Sequence, residues 1–301
     1  MIKDNKPSHD PGIVGTHITV QLENARFVNV KDGCLYDGGT RVLIKDGKIL
    51  AVRPPEDNRN EPSPDLVIDL KGKTVLPAFF NVHCHIQTIN PTIFSTIKTL
   101  KDRKTFRAVQ IKKSLADCLD CGVTNIRDAF TDDLSHNRQL KKEITVGDIP
   151  GPRIQQSVGV GVFGGYLSPK LNGIKGMLLT LAGIARTSYD DENTGILVFA
   201  PDAEESTVRD TVDRAVEERG AEAIKVGESL EKSLLNPNPK LLSTKQLGWI
   251  ADQARRRGLQ STIHSVSVET FRRAVDAGFS SVAHLPRNNV LNMHDIEACR
   301  S

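Results

Sequence analysis

Residues 258–284 read GLQSTIHSVSVETFRRAVDAGFSSVAH, and this stretch decides the fold. Positions 261–263 form a short apolar-flanked run ending at His264, and 280–283 form a second one ending at His284. Between them, 268–277 carry apolar residues at helical spacing, and Gly278 follows where a helix would close. Strand, helix, strand within one repeat is a parallel βα unit, so the two histidines are expected at equivalent places on adjacent strands.

The same alternation extends upstream. Strand candidates lie at 78–82, 124–126, 154–162 and 223–226, and helix candidates at 106–121, 204–219 and 244–257. Gly122, Gly220 and Gly258 each follow a helix candidate. The count is about six parallel strands, fewer than the eight of a (β/α)8 TIM barrel, which needs roughly 250 residues. Ahead of Leu76 the pattern differs. Short alternating runs at 18–22, 25–30, 41–44, 48–52 and 66–70, with a hairpin signal at Asp46-Gly47, predict a small antiparallel β-domain. The expected organisation is a loose tail over 1–16, a small β-sandwich-like domain over 17–76, and an α/β barrel lacking its last strands over 77–301.

Composition narrows the function classes. The 40 Lys and Arg against 37 Asp and Glu give a net charge of +3, and no basic stripe is interleaved with aromatics, which argues against nucleic acid. No run approaches the roughly 18 apolar residues of a membrane span. The five cysteines are odd in number and scattered, as expected of reduced thiols in a cytoplasmic protein. A small-molecule substrate is the expected partner, with self-association left open.

Chemistry concentrates at the predicted strand ends. His83-Cys84-His85 closes the first barrel strand, and i and i+2 side chains of a strand share a face, so both imidazoles can reach one ion. The bland alternative is a pair of surface histidines. Lys225 sits inside Ala223-Ile224-Lys225-Val226, where lysine is rare. It is either a snorkelling side chain at a strand terminus or a functional amine: a Schiff-base former, a general base, or an N-carboxylated bridge between cations. His264 and His284 complete the set, and barrel sites are built at the C-terminal ends of strands. Two lesser motifs are set aside: Cys118 and Cys121 have CxxC spacing without a second pair, and Gly159, Gly161 and Gly164 match a dinucleotide fingerprint that opens no helix. Tyr166 and Arg127 are placed where they could touch substrate.

His83-x-His85, Lys225, His264 and His284, in that order after a β-rich N-terminus, resemble the amidohydrolase superfamily, particularly its imidazolonepropionase-like and Xaa-Pro dipeptidase-like members. Asp46-Gly47-Lys48-Ile49, Leu76-Pro77, the run from Gly122 to Asp128 and Gly151-Pro152-Arg153 agree with it. The resemblance covers residues 17 to 290 and implies a binuclear metal hydrolase. His83 and His85 would hold one divalent ion, zinc by preference, and His264 and His284 the other. Lys225, carrying a CO2-derived carbamate, would bridge them, and Lys225 and His264 would share the catalytic work. Hydroxide formed from a bridging water would attack an amide, lactam or N-acyl carbonyl.

The pattern also departs from the family. An aspartate belongs on an eighth strand, but only 17 residues follow His284, and Asp295 reads as the start of a helix. Asn81 and Ala283 stand where acids are common, and Phe163-Gly164-Gly165-Tyr166 where close relatives often carry Gly-Gly-His. The rival expectations are a truncated homologue that binds metal or ligand without turnover, and a lactone or phosphotriester hydrolase using the same site.

Overall fold

The computed structural model describes residues 18–53, 63–87, 100–131, 133–168, 192–232, 236 and 238–299. The tail expected over 1–16 lies outside them. The chain divides into two compact units, Met1–Ala78 and Phe79–Ser301.

The first unit is a single sheet of five strands, β1 (Thr19–Val28), β2 (Leu35–Lys45), β3 (Lys48–Arg53), β4 (Leu66–Asp69) and β5 (Thr74–Val75). Asp46 and Gly47 both take positive φ, 51° and 72°, which a two-residue turn matching the strand twist requires. The sheet is mixed rather than purely antiparallel. β1 pairs antiparallel with β2 but parallel with β4 and β5. Alternation within each run cannot report which neighbour a strand finds, so the direction of β4 was not legible in the sequence.

The second unit alternates strand and helix. Its strands are β6 (Phe79–Cys84), β7 (Val123–Asp128), β8 (Arg153–Val162), β9 (Ile196–Phe199), β10 (Ala223–Gly227), β11 (Gln260–His264) and β12 (Ser281–Val282). Its helices are α1 (Leu100–Asp120), α2 (Leu134–Thr145), α3 (Glu205–Glu217), α4 (Thr244–Arg256), α5 (Val268–Asp276) and α6 (Met293–Ala298). All pairings are parallel, in the order β12-β11-β10-β8-β7-β6, with β9 beside β8. This is part of a TIM barrel, with six strands in succession and one extra.

Alternation along the central strands separates core from site. Ile224 and Val226 of β10 and Ile263 of β11 are fully buried against Val208 and Val212 of α3 and Leu247 and Ile250 of α4. Burying such side chains is worth about 1.5–3 kcal/mol each, enough to fix which residues face the helices. Lys225, Thr262 and His264 are thereby turned to the barrel interior. On β6 the same logic holds: Cys84 packs beside Ile111 and Leu115 of α1, so His83 and His85 face inward. Burial pushes the Cys84 thiol up to about 12, which suits a wall residue.

Candidate functional site

The four histidines and the lysine expected to converge are brought together at the C-terminal ends of the strands. His83 and His85 have ring centroids 5.2 Å apart. His83 lies 5.1 Å from His284, and His284 lies 4.7 Å from His264. These contacts are edge-to-face, with interplanar angles of 80°, 61° and 75°. His83 follows from one edge strand of the sheet and His284 from the other, so the sheet curls until its two edges meet above the interior.

Lys225 is not a snorkelling lysine. It is 2% exposed, and its Nζ has no hydrogen-bond partner among the described residues. Burial alone brings its ammonium down to about 8. Its register partner on β8 is Gly159, which presents no side chain beside it. Of the glycines set aside as a fingerprint, Gly159 has this use, Gly161 lies further along β8 beside β9, and Gly164 takes a positive φ of 84° in the turn beyond.

Three of the imidazoles, His83, His264 and His284, are held neutral. Burial, then the Lys225 charge, then the neighbouring rings bring His83 down to about 4. The same order of causes, burial and Lys225 ahead of His284, brings His264 down to about 3. His284 is lowered by burial and Lys225 as well. A neutral imidazole is the form that can donate a lone pair to a cation. The His264 Nε2 is buried and has no hydrogen bond among the described residues. His85 places Nδ1 3.3 Å from the Phe130 carbonyl, the kind of backbone contact that fixes the tautomer of a ligating ring.

A cavity of about 380 Å³ opens over the cluster, lined by His85, Phe130, Tyr166, Leu167, Lys225 and His264. That is within the usual range for small-ligand sites. Tyr166 stacks on His264 with centroids 4.2 Å apart and planes 13° from parallel. Gly227 makes this possible: a Cβ there would come within 2.6 Å of the Tyr166 ring and 2.7 Å of Leu167. Phe130 and Leu167 escaped sequence reading, although both lie just past strand ends, where barrel cavities are lined. Arg127 corrects an expectation. Its guanidinium binds Gln155 and Gln260, near the N-terminal ends of β8 and β11, so it braces the barrel floor rather than the substrate side.

The donor set fits a divalent cation in kind: four imidazoles, three of them held below the usual histidine range, and a buried amine with no hydrogen-bond partner among the described residues. It does not amount to a preformed cage, since among the described residues no three His, Cys, Asp or Glu side chains form a ready ligand set. The rings touch one another rather than splaying round a centre, and an ion would have to part them.

No family model and no curated protein matches the chain. Solved structures do. The chain matches an amidohydrolase at 22% identity with a TM-score of 0.65, covering 93% of this chain and 64% of that one. A Xaa-Pro dipeptidase with bound methionine in the active site matches at 18% identity, TM-score 0.68, over the same 93% and 64%. The chain shares the fold of these structures. Molinate hydrolase matches at 18% identity and TM-score 0.67, covering 94% of this chain and 61% of that one. The chain thus spans less than two thirds of the length of these structures.

Proposed function

We propose that the chain is a metal-dependent hydrolase of the amidohydrolase type, cleaving a C–N bond of a small molecule: an amide, lactam or N-acyl group. The observation that carries this reading is the convergence of His83, His85, His264 and His284 above the buried, unpartnered Lys225. The likeness to solved amidohydrolase and dipeptidase structures supports the fold it requires.

His83 and His85 would hold one divalent ion and His264 and His284 the other, with Lys225 between them. When bound, such ions supply a nucleophile from water near neutral pH and polarise the scissile carbonyl. The chain's own residues do the rest. The lowered pKa of Lys225 makes the neutral amine accessible near pH 8, and only that form can be carboxylated. Carboxylation would turn an unpartnered buried cation into an anion that two cations can share. Tyr166 and Phe130 form apolar walls that keep bulk water from the reacting carbonyl.

The test is zinc content per chain by elemental analysis, followed by assays with N-acyl dipeptides, lactones and aryl phosphotriesters. About two ions and turnover of the N-acyl substrates are expected. Ions without turnover of any substrate would favour a metal-binding homologue, and turnover of the other two classes alone would move the chemistry off the C–N bond.

A further inference from the structure

Glu228 is a buried acid that the reaction does not use. It is the first residue beyond β10, three positions after Lys225, and its side chain is 0% exposed. Its carboxylate meets the guanidinium of Arg273 on α5, but not in hydrogen-bond alignment, and neither oxygen has a hydrogen bond among the described residues. Glu269, on the same helix, adds a like charge nearby. Burial raises the Glu228 carboxyl to about 7, and the Arg273 charge works against that rise.

The backbone around this pair explains what it can do. The Glu228 N–H donates to the His264 carbonyl at 3.0 Å, carrying the β10–β11 ladder one step past the Gly227–His264 pairing. Arg273 lies on the helix that begins at the Ser267 cap, three residues after His264. The same guanidinium donates to the Leu242 carbonyl, just ahead of the Ser243 cap of α4. One ion pair therefore ties the loop after the Lys225 strand, the helix after the His264 strand and the entry to α4. Stability does not account for it. Replacing a buried pair by neutral groups of similar shape is often neutral or stabilising by about 1–4 kcal/mol.

We infer that Glu228 and Arg273 are positioning residues that hold the Lys225 and His264 strand ends at the spacing a bound cation requires. The inference rests on the metal reading above. It places a structural determinant of metal affinity on the outer side of the strands, away from the ligands and the cavity.

The test measures zinc affinity of the full chain by competition with a chromophoric chelator, alongside thermal melting. Glu228→Gln keeps shape and removes charge. It is expected to weaken zinc binding about 10–100-fold, the range for groups that orient ligands indirectly, without lowering the melting temperature in proportion. Arg273→Lys, which keeps the charge, is expected to retain most of the affinity. Because Glu228→Gln leaves Arg273 unpaired and could misfold, the double variant Glu228→Gln with Arg273→Met removes both charges and is expected to fold with the same weakened affinity. Unchanged zinc affinity in either folded variant overturns the positioning role and leaves the metal reading intact. A wild-type chain without zinc affinity overturns both.

Discussion

The middle of the barrel sheet and its two edges contribute to one site under very different conditions. Every residue of β10 is buried, and so are the last four of β11. On β6, by contrast, Phe79 is 53% exposed, Phe80 48% and Val82 58%. Lys225 and His264 therefore stand on strands packed on both faces, as parallel strands ordinarily are. His83, His85 and His284 stand on the borders. The central pair is prepositioned by core packing, while the border histidines are placed by ring contacts with one another and with His264, and His85 also by the Phe130 carbonyl. An ion bound by all of them would join the two borders of the sheet as well as fill a site.

The sharpest way to break this contrast is to remove the central amine. Lys225→Met should cut zinc content from about two ions to one or fewer, since the bridge between the two histidine pairs is gone. Stability should move the other way. The Lys225 ammonium is destabilised by burial, with its pKa near 8 instead of 10.5. That cost, on the order of 3 kcal/mol, is fully present below pH 8 and fades as pH rises toward 10.5. Methionine escapes it, so the metal-free variant should melt several degrees higher at pH 7. Retention of two ions would show that the centre holds nothing the borders cannot.

Adding metal should act mainly on the borders. Zinc at 100 times its dissociation constant contributes about 2.7 kcal/mol to any opening that releases it. Amides of β6, an edge strand among the described residues, should then exchange about 100-fold more slowly. Zinc that binds with no slowing along β6 would mean that the edges stay independent.

Acid should probe both regions at once. His83 and His264 titrate near 4 and 3 in the fold against 6.5 in an unfolded chain. The unfolded state therefore binds more protons between those values, and the metal-free fold loses stability as pH falls from about 6.5. The slope is at most about 1.4 kcal/mol per pH unit for each ring, and less for the half-exposed His83 because solvent screens it. Urea midpoints at pH 7, 6 and 5 should fall in wild type, and His264→Gln should flatten the trend more than His83→Gln. Equal flattening would erase the difference between centre and border.

The centre was also the part most legible in the sequence. Apolar runs at 154–162, 223–226 and 261–263 read directly as β8, β10 and β11, because strands buried on both faces leave little freedom in composition. The His264 and His284 repeat gave the parallel order. What was missed has physical reasons. β9 is four apolar residues, Ile196–Phe199, too short to separate from a loop without its partner β8. α2 is polar enough that its helical face was not legible, and only Leu134, Asn137 and Leu140 of its residues are buried. Glu228 carries no motif, since a buried acid is recognised only by its partner on a distant helix. Arg127 lies near a strand end, where function is expected, yet its register partner on β8 is Gln155 and its guanidinium is taken up by Gln155 and Gln260.

The smallest expected effect concerns Tyr166, which meets the centre through a ring rather than a strand. Its stack on His264 is a close lateral contact between the centre and the loop after β8. Such a pair is worth about 0.5–1.5 kcal/mol beyond its buried area. Tyr166→Phe keeps the ring, and the hydroxyl belongs to a residue 39% exposed, so zinc affinity should stay within about twofold. Tyr166→Ala should weaken it about 3–10-fold, the same energy read as a binding constant. If alanine matches phenylalanine, His264 is positioned by β11 and its packing alone. If it exceeds tenfold, the loop after β8 is part of what fixes the central imidazole, and the centre is less self-sufficient than its burial implies.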